Sequence, residues 1–151
     1  RVRGASGSAA LWSQPLKKLK QLKRLKVNNC SLQSTDIKSL CDTLILAELD
    51  LSENESLTGS GPSWNHLQSL KKLHILHLRK CSLRGNDLKH ISASLSDSPT
   101  LTELDLSSNH FLAGSGSSWN HLQCLKQLCK LHLRQCLLRG EDLKHISASL
   151  S

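Results

Sequence analysis

Large aromatic rings are nearly missing from this chain, with no tyrosine, one phenylalanine and three tryptophans among 151 residues. A single core of that size ordinarily draws much of its buried area from such rings, so their scarcity argues against one central core. Leucine stands in for them at regular intervals. That implies a row of small, equivalent cores and makes internal repetition the first thing to look for. Long apolar runs are missing too, and nothing approaches the ~18 residues of a membrane span. Arg1-Val2-Arg3-Gly4 and the small polar residues after them lack the apolar centre of a signal peptide. Methionine is absent, even at the first position, and the last repeating unit breaks off part-way, so the chain reads as a piece of something longer.

Acidic residues are absent from the first thirty positions, which carry eight basic ones. The rest of the chain carries twelve of each sign, so the net charge of +8 sits wholly at the N-terminal end. In Leu16-Lys-Lys-Leu-Lys-Gln-Leu-Lys-Arg-Leu-Lys26 the leucines are expected to point to the core. That leaves Lys17, Lys18, Lys20, Lys23, Arg24 and Lys26 as a solvent-facing patch. Such a patch suits an anionic partner: an acidic protein, acidic lipid, lipopolysaccharide or nucleic acid. It equally suits a solvated end that keeps a stacked protein soluble. Without interleaved aromatics or a recognisable motif, nucleic acid is the least favoured of these partners.

Five segments share one pattern. Leu25-Lys-Val27, Leu49-Asp-Leu51, Leu76-His-Leu78, Leu104-Asp-Leu106 and Leu131-His-Leu133 each follow a leucine by three residues and precede Cys or Asn by three. The result, L-x-x-L-x-L-x-x-(N/C), is the leucine-rich repeat, and five copies in phase are far more specific than one. Starts are spaced 24, 27, 28 and 27 apart, and Cys types (30, 81, 136) alternate with Asn types (54, 109). The L-x-L portion alternates like a strand with leucines inward. After each Cys, apolar positions change to helical spacing, as in Leu83, Leu88, Ile91, Leu95 and again Leu138, Leu143, Ile146, Leu150. The Asn-type units return through Trp64-Leu67-Leu70-Leu73 and Trp119-Leu122-Leu125-Leu128, also expected as helices, after Gly-Ser-Gly turns with serine as candidate N-cap.

The expected architecture is therefore an α/β leucine-rich-repeat solenoid, a horseshoe with parallel strands on the concave face and helices on the convex face. Residues 1–24 form a basic N-terminal capping segment. Gly4-Ala-Ser-Gly-Ser-Ala-Ala-Leu-Trp12 resembles Leu57-Thr-Gly-Ser-Gly-Pro-Ser-Trp64, which predicts a degraded repeat with a helix over roughly 9–22. Residues 25–151 hold the repeats starting near 25, 49, 76, 104 and 131, the last one truncated.

Alternating Cys and Asn repeats with long helical returns resemble the ribonuclease-inhibitor-like class, which also forms the sensing end of NOD-like receptors. Cys81-Ser-Leu-Arg-Gly-Asn-Asp-Leu88 and Leu101-Thr-Glu-Leu-Asp-Leu-Ser-Ser-Asn109 carry that likeness. Leu-Asp-Leu-Ser-x-Asn before a glycine loop is also similar to the leucine-rich-repeat-containing protein thirty-one group. The resemblance implies a non-enzymatic protein-binding module, with a role in innate immunity among its possibilities. It transfers no binding residues, because those sit at the variable positions.

Cys30, Cys81 and Cys136 take the ladder position of Asn and are expected as buried free thiols. The paired-cysteine caps of secreted relatives are absent, so a cytoplasmic location is expected, with secretion left open for a fragment. Cys124, Cys129, His121, His132 and Cys136 are too poorly spaced for a zinc site, and no metal or cofactor is expected. Asn29-Cys-Ser31 and Asn54-Glu-Ser56 fit a glycosylation pattern, yet Asn54 belongs to the ladder and should be buried.

Residues between the inward leucines face out on the concave side in rows. One row is Arg24, Glu48, Ile75, Glu103, Lys130 and the next Lys26, Asp50, His77, Asp105, His132. A third is Asn28, Ser52, Arg79, Ser107, Arg134 and the fourth Asn29, Glu53, Lys80, Ser108, Gln135. Asp50 and Asp105 are expected to flank His77, with Asp105 also beside His132, and such neighbours favour a charged imidazole. Two readings stand side by side: a cross-strand charge ladder that supports the sheet, and a recognition strip sensitive to pH near neutrality. The second makes Asp50, His77, Arg79, Lys80, Asp105, His132 and Arg134 partner-binding residues for a protein. The open edge at Leu131-His-Leu133 adds a dimer as a further partner arrangement.

Overall fold

Each L-x-L segment alternates about an inward leucine, buried in the first four and partly buried in the last, and each becomes a three-residue strand: β1 (Arg24–Lys26), β2 (Glu48–Asp50), β3 (Ile75–His77), β4 (Glu103–Asp105) and β5 (Lys130–His132). The computed structural model describes residues 21–150. The helix expected over residues 9–22 lies almost wholly outside them. The five strands form one parallel sheet in sequence order, with Leu25, Leu49, Leu76, Leu104 and Leu131 in mutual register. Parallel pairing runs on past the strands through Val27 N–H to Asp50 O (3.0 Å), Leu78 N–H to Asp105 O (2.8 Å) and Lys80 N–H to Ser107 O (3.0 Å).

The Cys-type returns are α-helices: α1 (Ser34–Thr43), α2 (Gly85–Leu95) and α3 (Gly140–Leu150). Each starts with an aspartate whose carboxylate reaches back to the preceding amide. Asp36, Asp87 and Asp142 accept from Gln33, Arg84 and Arg139 N–H at 2.7, 3.0 and 2.9 Å. This satisfies a helix-end donor that the helix itself leaves open.

The Asn-type returns correct an expectation. Gly61–Ser69 and Gly116–Cys124 are nine-residue 3-10 helices. The physical reason is visible in the sequence. Trp64, Leu67, Leu70 and Leu73 are each three apart, and three residues per turn keeps all four aligned on one side along the whole run. Nor do the serines cap through their side chains: Ser60 and Ser115 hydroxyls donate backward to the Leu57 and Leu112 carbonyls, both at 2.6 Å.

Two side-chain devices tie neighbouring repeats together. The fully buried Trp64 and Trp119 donate their indole N–H to Asp87 (3.0 Å) and Asp142 (2.9 Å) at the start of the next repeat's helix. Asn109 accepts the Cys81 and Leu83 amides, both at 3.0 Å, and donates to the Leu78, Leu106 and Ser107 carbonyls at 2.9, 2.7 and 3.2 Å. Asn54 makes the equivalent set and is buried, so it is closed to glycosylation. The thiols of Cys81 and Cys136 donate to Leu51 and Leu106 carbonyls, both at 3.3 Å. All six cysteines are free, and burial pushes the thiols of Cys41 and Cys81 up to about 12.

Candidate recognition surface

The strand face is built from the residues that the inward leucines leave pointing outward. The register places Arg24, Glu48, Ile75, Glu103 and Lys130 in one row and Lys26, Asp50, His77, Asp105 and His132 in the next. The third row is anchored by hydroxyls: Ser52 Oγ accepts the Arg79 amide and Ser107 Oγ the Arg134 amide, both at 3.0 Å. The fourth row turns the corner. Asn29, Glu53, Lys80, Ser108 and Gln135 all have positive φ, between 51° and 62°, a left-handed conformation sparsely used outside glycine.

Ion pairing across this face departs from the expected pattern. His77 Nδ1 lies 3.7 Å from Asp105, but its Nε2 faces Glu48 at 3.8 Å rather than Asp50. His132 Nε2 lies 3.0 Å from Glu103, although the register sets His132 opposite Asp105. Side-chain length explains the difference. The short Asp50 carboxylate folds back to accept the Ser52 amide at 3.0 Å, and Asp105 does the same with Ser107 at 3.0 Å. The extra methylene of glutamate reaches diagonally to the next strand. Glu48 also meets Arg24 at 4.0 Å, and Asp105 meets Arg79 at 3.8 Å. Glu48 and Glu103, which drew no role from the row reading, thus each approach an imidazole: His77 lies between Glu48 and Asp105, and His132 lies against Glu103.

A concavity of about 450 Å³ opens on this face, lined by Lys26, Asn28, Asp50, Ser52, Glu53, His77, Arg79, Lys80, Asp105 and Ser108. It gathers Asp50, His77, Arg79, Lys80 and Asp105 of the expected binding set from three consecutive repeats. His132 and Arg134 lie one strand further on and do not line it. Of the basic patch, Lys17, Lys18 and Lys20 lie outside the described residues. Lys23, Arg24 and Lys26 are exposed. Since Arg24 pairs with Glu48 and Lys26 lines the concavity, the end of the patch and the strand face form one continuous surface.

The cysteine and histidine groups near the last strand serve separate partners. Cys136 is committed to the Leu106 carbonyl and His132 to Glu103. Among the described residues, no cluster of three or more potential metal ligands forms, and no helix is long and apolar enough to cross a membrane.

Residues 100–125 match the Leucine Rich Repeat family. The ribonuclease inhibitor of Mus musculus is 34% identical over 141 residues, an alignment covering 87% of this chain and 30% of the relative. The chain therefore spans just under a third of that curated protein's length. Among solved structures, the tropomodulin C-terminal domain of Caenorhabditis elegans gives a TM-score of 0.68 over 94% of this chain and 90% of that one, at 13% identity. A chain of the yeast Rad7 and Elc1 complex gives 0.59 over 83% of this chain and 35% of that one, at 21% identity. Identities this low speak for the fold alone. With five in-phase repeats, one parallel sheet and an alternating Cys and Asn ladder, this chain belongs to the leucine-rich-repeat family, in its ribonuclease-inhibitor-like class.

Proposed function

We propose that this chain is a non-enzymatic module that binds a protein partner through its strand face. One observation supports this reading above others: the 450 Å³ concavity is open, polar and lined by both charge signs from consecutive repeats. Charged groups so arranged set the register and specificity of a partner more than raw affinity. Acid–base chemistry fits poorly, because the carboxylates are already engaged. Asp50 and Asp105 hold backbone amides, while Glu48 and Glu103 hold imidazoles. The relative's name makes ribonuclease a first probe among protein partners. A place in innate immunity rests on the NOD-like receptor resemblance alone and is a finer proposal than protein binding itself.

The test is photo-crosslinking from Ile75, half-exposed at the middle of the face, with ribonuclease and with cell extract. Crosslinked proteins should vanish when Asp50, His77, Asp105 and His132 are all changed to alanine, and persist when Lys17, Lys18, Lys20 and Lys23 become glutamine. The reverse pattern, with binding to acidic-lipid vesicles or lipopolysaccharide that fades between low and moderate salt, would replace this reading with recognition of anionic surfaces. That second reading is favoured by the eight basic and zero acidic residues of the first thirty.

A further inference from the structure

The repeat starting at Leu25 is four residues shorter than its sister starting at Leu76. Ile45 alone stands between Leu44 and Leu46, where the sister runs Ser96-Asp-Ser-Pro-Thr100 between Leu95 and Leu101. Both units still enter the sheet in the same way. The Ala47 and Glu48 amides donate to the Lys23 carbonyl at 2.8 and 2.9 Å, as those of Thr102 and Glu103 do to His74 at 2.9 and 3.1 Å. The shortening therefore falls on the loop and not on the strand.

The longer loop is a polar cover over the repeat before it. Thr100 Oγ1 donates to the Lys71 and Leu73 carbonyls at 3.4 and 2.7 Å, and Thr102 Oγ1 to that of His74 at 3.3 Å. In the short loop Ile45, Leu46 and Ala47 bring no hydroxyl. Leu46 is fully buried, but Ile45 is 65% exposed. A hollow of about 560 Å³ opens beside it, with Leu22, Ile45 and Ala47 as its apolar side and Lys23, Lys72 and His74 on its rim. Among the described residues no acid lines it. The acids closest to Ile45 along the chain are engaged elsewhere. Asp42 lies 3.7 Å from His66 and accepts the Ser69 hydroxyl at 3.3 Å, while Glu48 faces Arg24 and His77.

We propose that this hollow docks an acidic protein segment, which inserts one apolar side chain against Leu22, Ile45 and Ala47 and sets flanking carboxylates on Lys23 and Lys72. A lone exposed isoleucine is ordinary on a protein surface. Here it stands in a concavity large enough for a side chain, under a rim of one charge sign, and that sign selects an acidic partner. A bilayer fits less well, because a flat surface cannot follow a concave floor as a protruding side chain can. The hollow lies where β1, β2 and β3 begin and shares no lining residue with the strand-face concavity. Binding at the two places is therefore separable.

The test is an NMR titration of the isotope-labelled full chain with the peptide Ser-Glu-Glu-Phe-Glu-Glu-Ser. Amide signals of Ile45, Ala47, Lys72 and His74 should shift, while those of His77 and Arg79 on the strand face stay in place. Ile45→Ser should weaken binding about tenfold, as loss of one buried aliphatic contact does. Lys23→Gln/Lys72→Gln should weaken it severalfold and flatten its dependence on salt. All three positions are exposed, so the urea midpoints of these variants should match the parent's. Peptides with serine for phenylalanine, or lysine for glutamate, should bind at least about tenfold more weakly. Equal binding of the lysine peptide, affinity that survives Ile45→Ser, or no shift at millimolar peptide would overturn the proposal. So would shifts confined to the strand face. Capture by acidic-lipid vesicles that depends on Ile45, without a response to the peptide, would assign the hollow to a membrane instead. A doubled molar mass that Ile45→Ser returns to the monomer would assign it to a second copy of the chain.

Discussion

A single amide side chain, that of Asn109, serves five backbone groups belonging to two repeats. Cys81, one repeat earlier, makes one long bond across the repeat boundary, to the Leu51 carbonyl. At roughly 1 kcal/mol net for each bond, with a further penalty for donors left buried, Asn109→Ala should cost about 3 kcal/mol or more and Cys81→Ala about 1 kcal/mol. Urea unfolding of the two variants measures the gap, and equal losses would mean that the ladder asparagine is not the stronger clasp. Asp142 offers a second measurement. Burial raises its carboxyl, but the Arg139 amide, the Trp119 indole, the Gly114 amide and the Arg139 charge outweigh that and hold it below the ordinary carboxylate range. A depressed folded value contributes stability above the unfolded pKa, and that stability is lost as pH falls through the folded value. The wild-type chain should therefore lose stability on acidification more steeply than Asp142→Asn, and parallel stability curves for the two would refute the linkage.

Among the elements, the strands were the most legible part of the sequence, because a period of two about a buried leucine admits few alternatives. The concave rows followed directly, since parallel stacking of equivalent residues leaves no freedom of register. The ion pairs did not follow, because the choice between Asp50 and Glu48 as partner to His77 depends on one methylene of reach and on the Ser52 amide waiting behind Asp50. The 3-10 returns were present in the three-residue spacing of Trp64, Leu67, Leu70 and Leu73, but that spacing also fits one face of an α-helix over a short stretch. The indole bond ties each of these segments to the next repeat. Trp64→Phe keeps most of the ring and removes one donor from Asp87, leaving the Gly59 amide on the same oxygen. The expected loss is about 1 to 2 kcal/mol, with the 3-10 segment exchanging its amides faster than α2 does. Uniform exchange across both would show that the indole bond does not fasten the return segment separately from the core.

Across the whole molecule, nearest-neighbour stacking makes the consequence of a substitution depend on where its repeat lies. Leu88 and Leu143 occupy equivalent positions in near-identical helices, Gly85–Leu95 and Gly140–Leu150. Leu88 belongs to a helix sandwiched between two 3-10 helices and is 1% exposed, whereas Leu143 is 54% exposed. Truncating the first opens a cavity that its neighbours only partly close, so Leu88→Ala should cost about 2 to 5 kcal/mol. Truncating the second removes area that is already largely in water, so Leu143→Ala should cost under about 1 kcal/mol. Chemical denaturation of the two variants, side by side, gives the comparison. Similar losses at both positions would mean that the far face of α3 is covered in solution. Light scattering would then identify the cover: a molar mass of twice 16.7 kDa would place a second copy of the chain against β5 and α3. Leu143→Lys should return that dimer to the monomer, because burying an unpaired ammonium at the centre of the contact costs more than the leucine contributed.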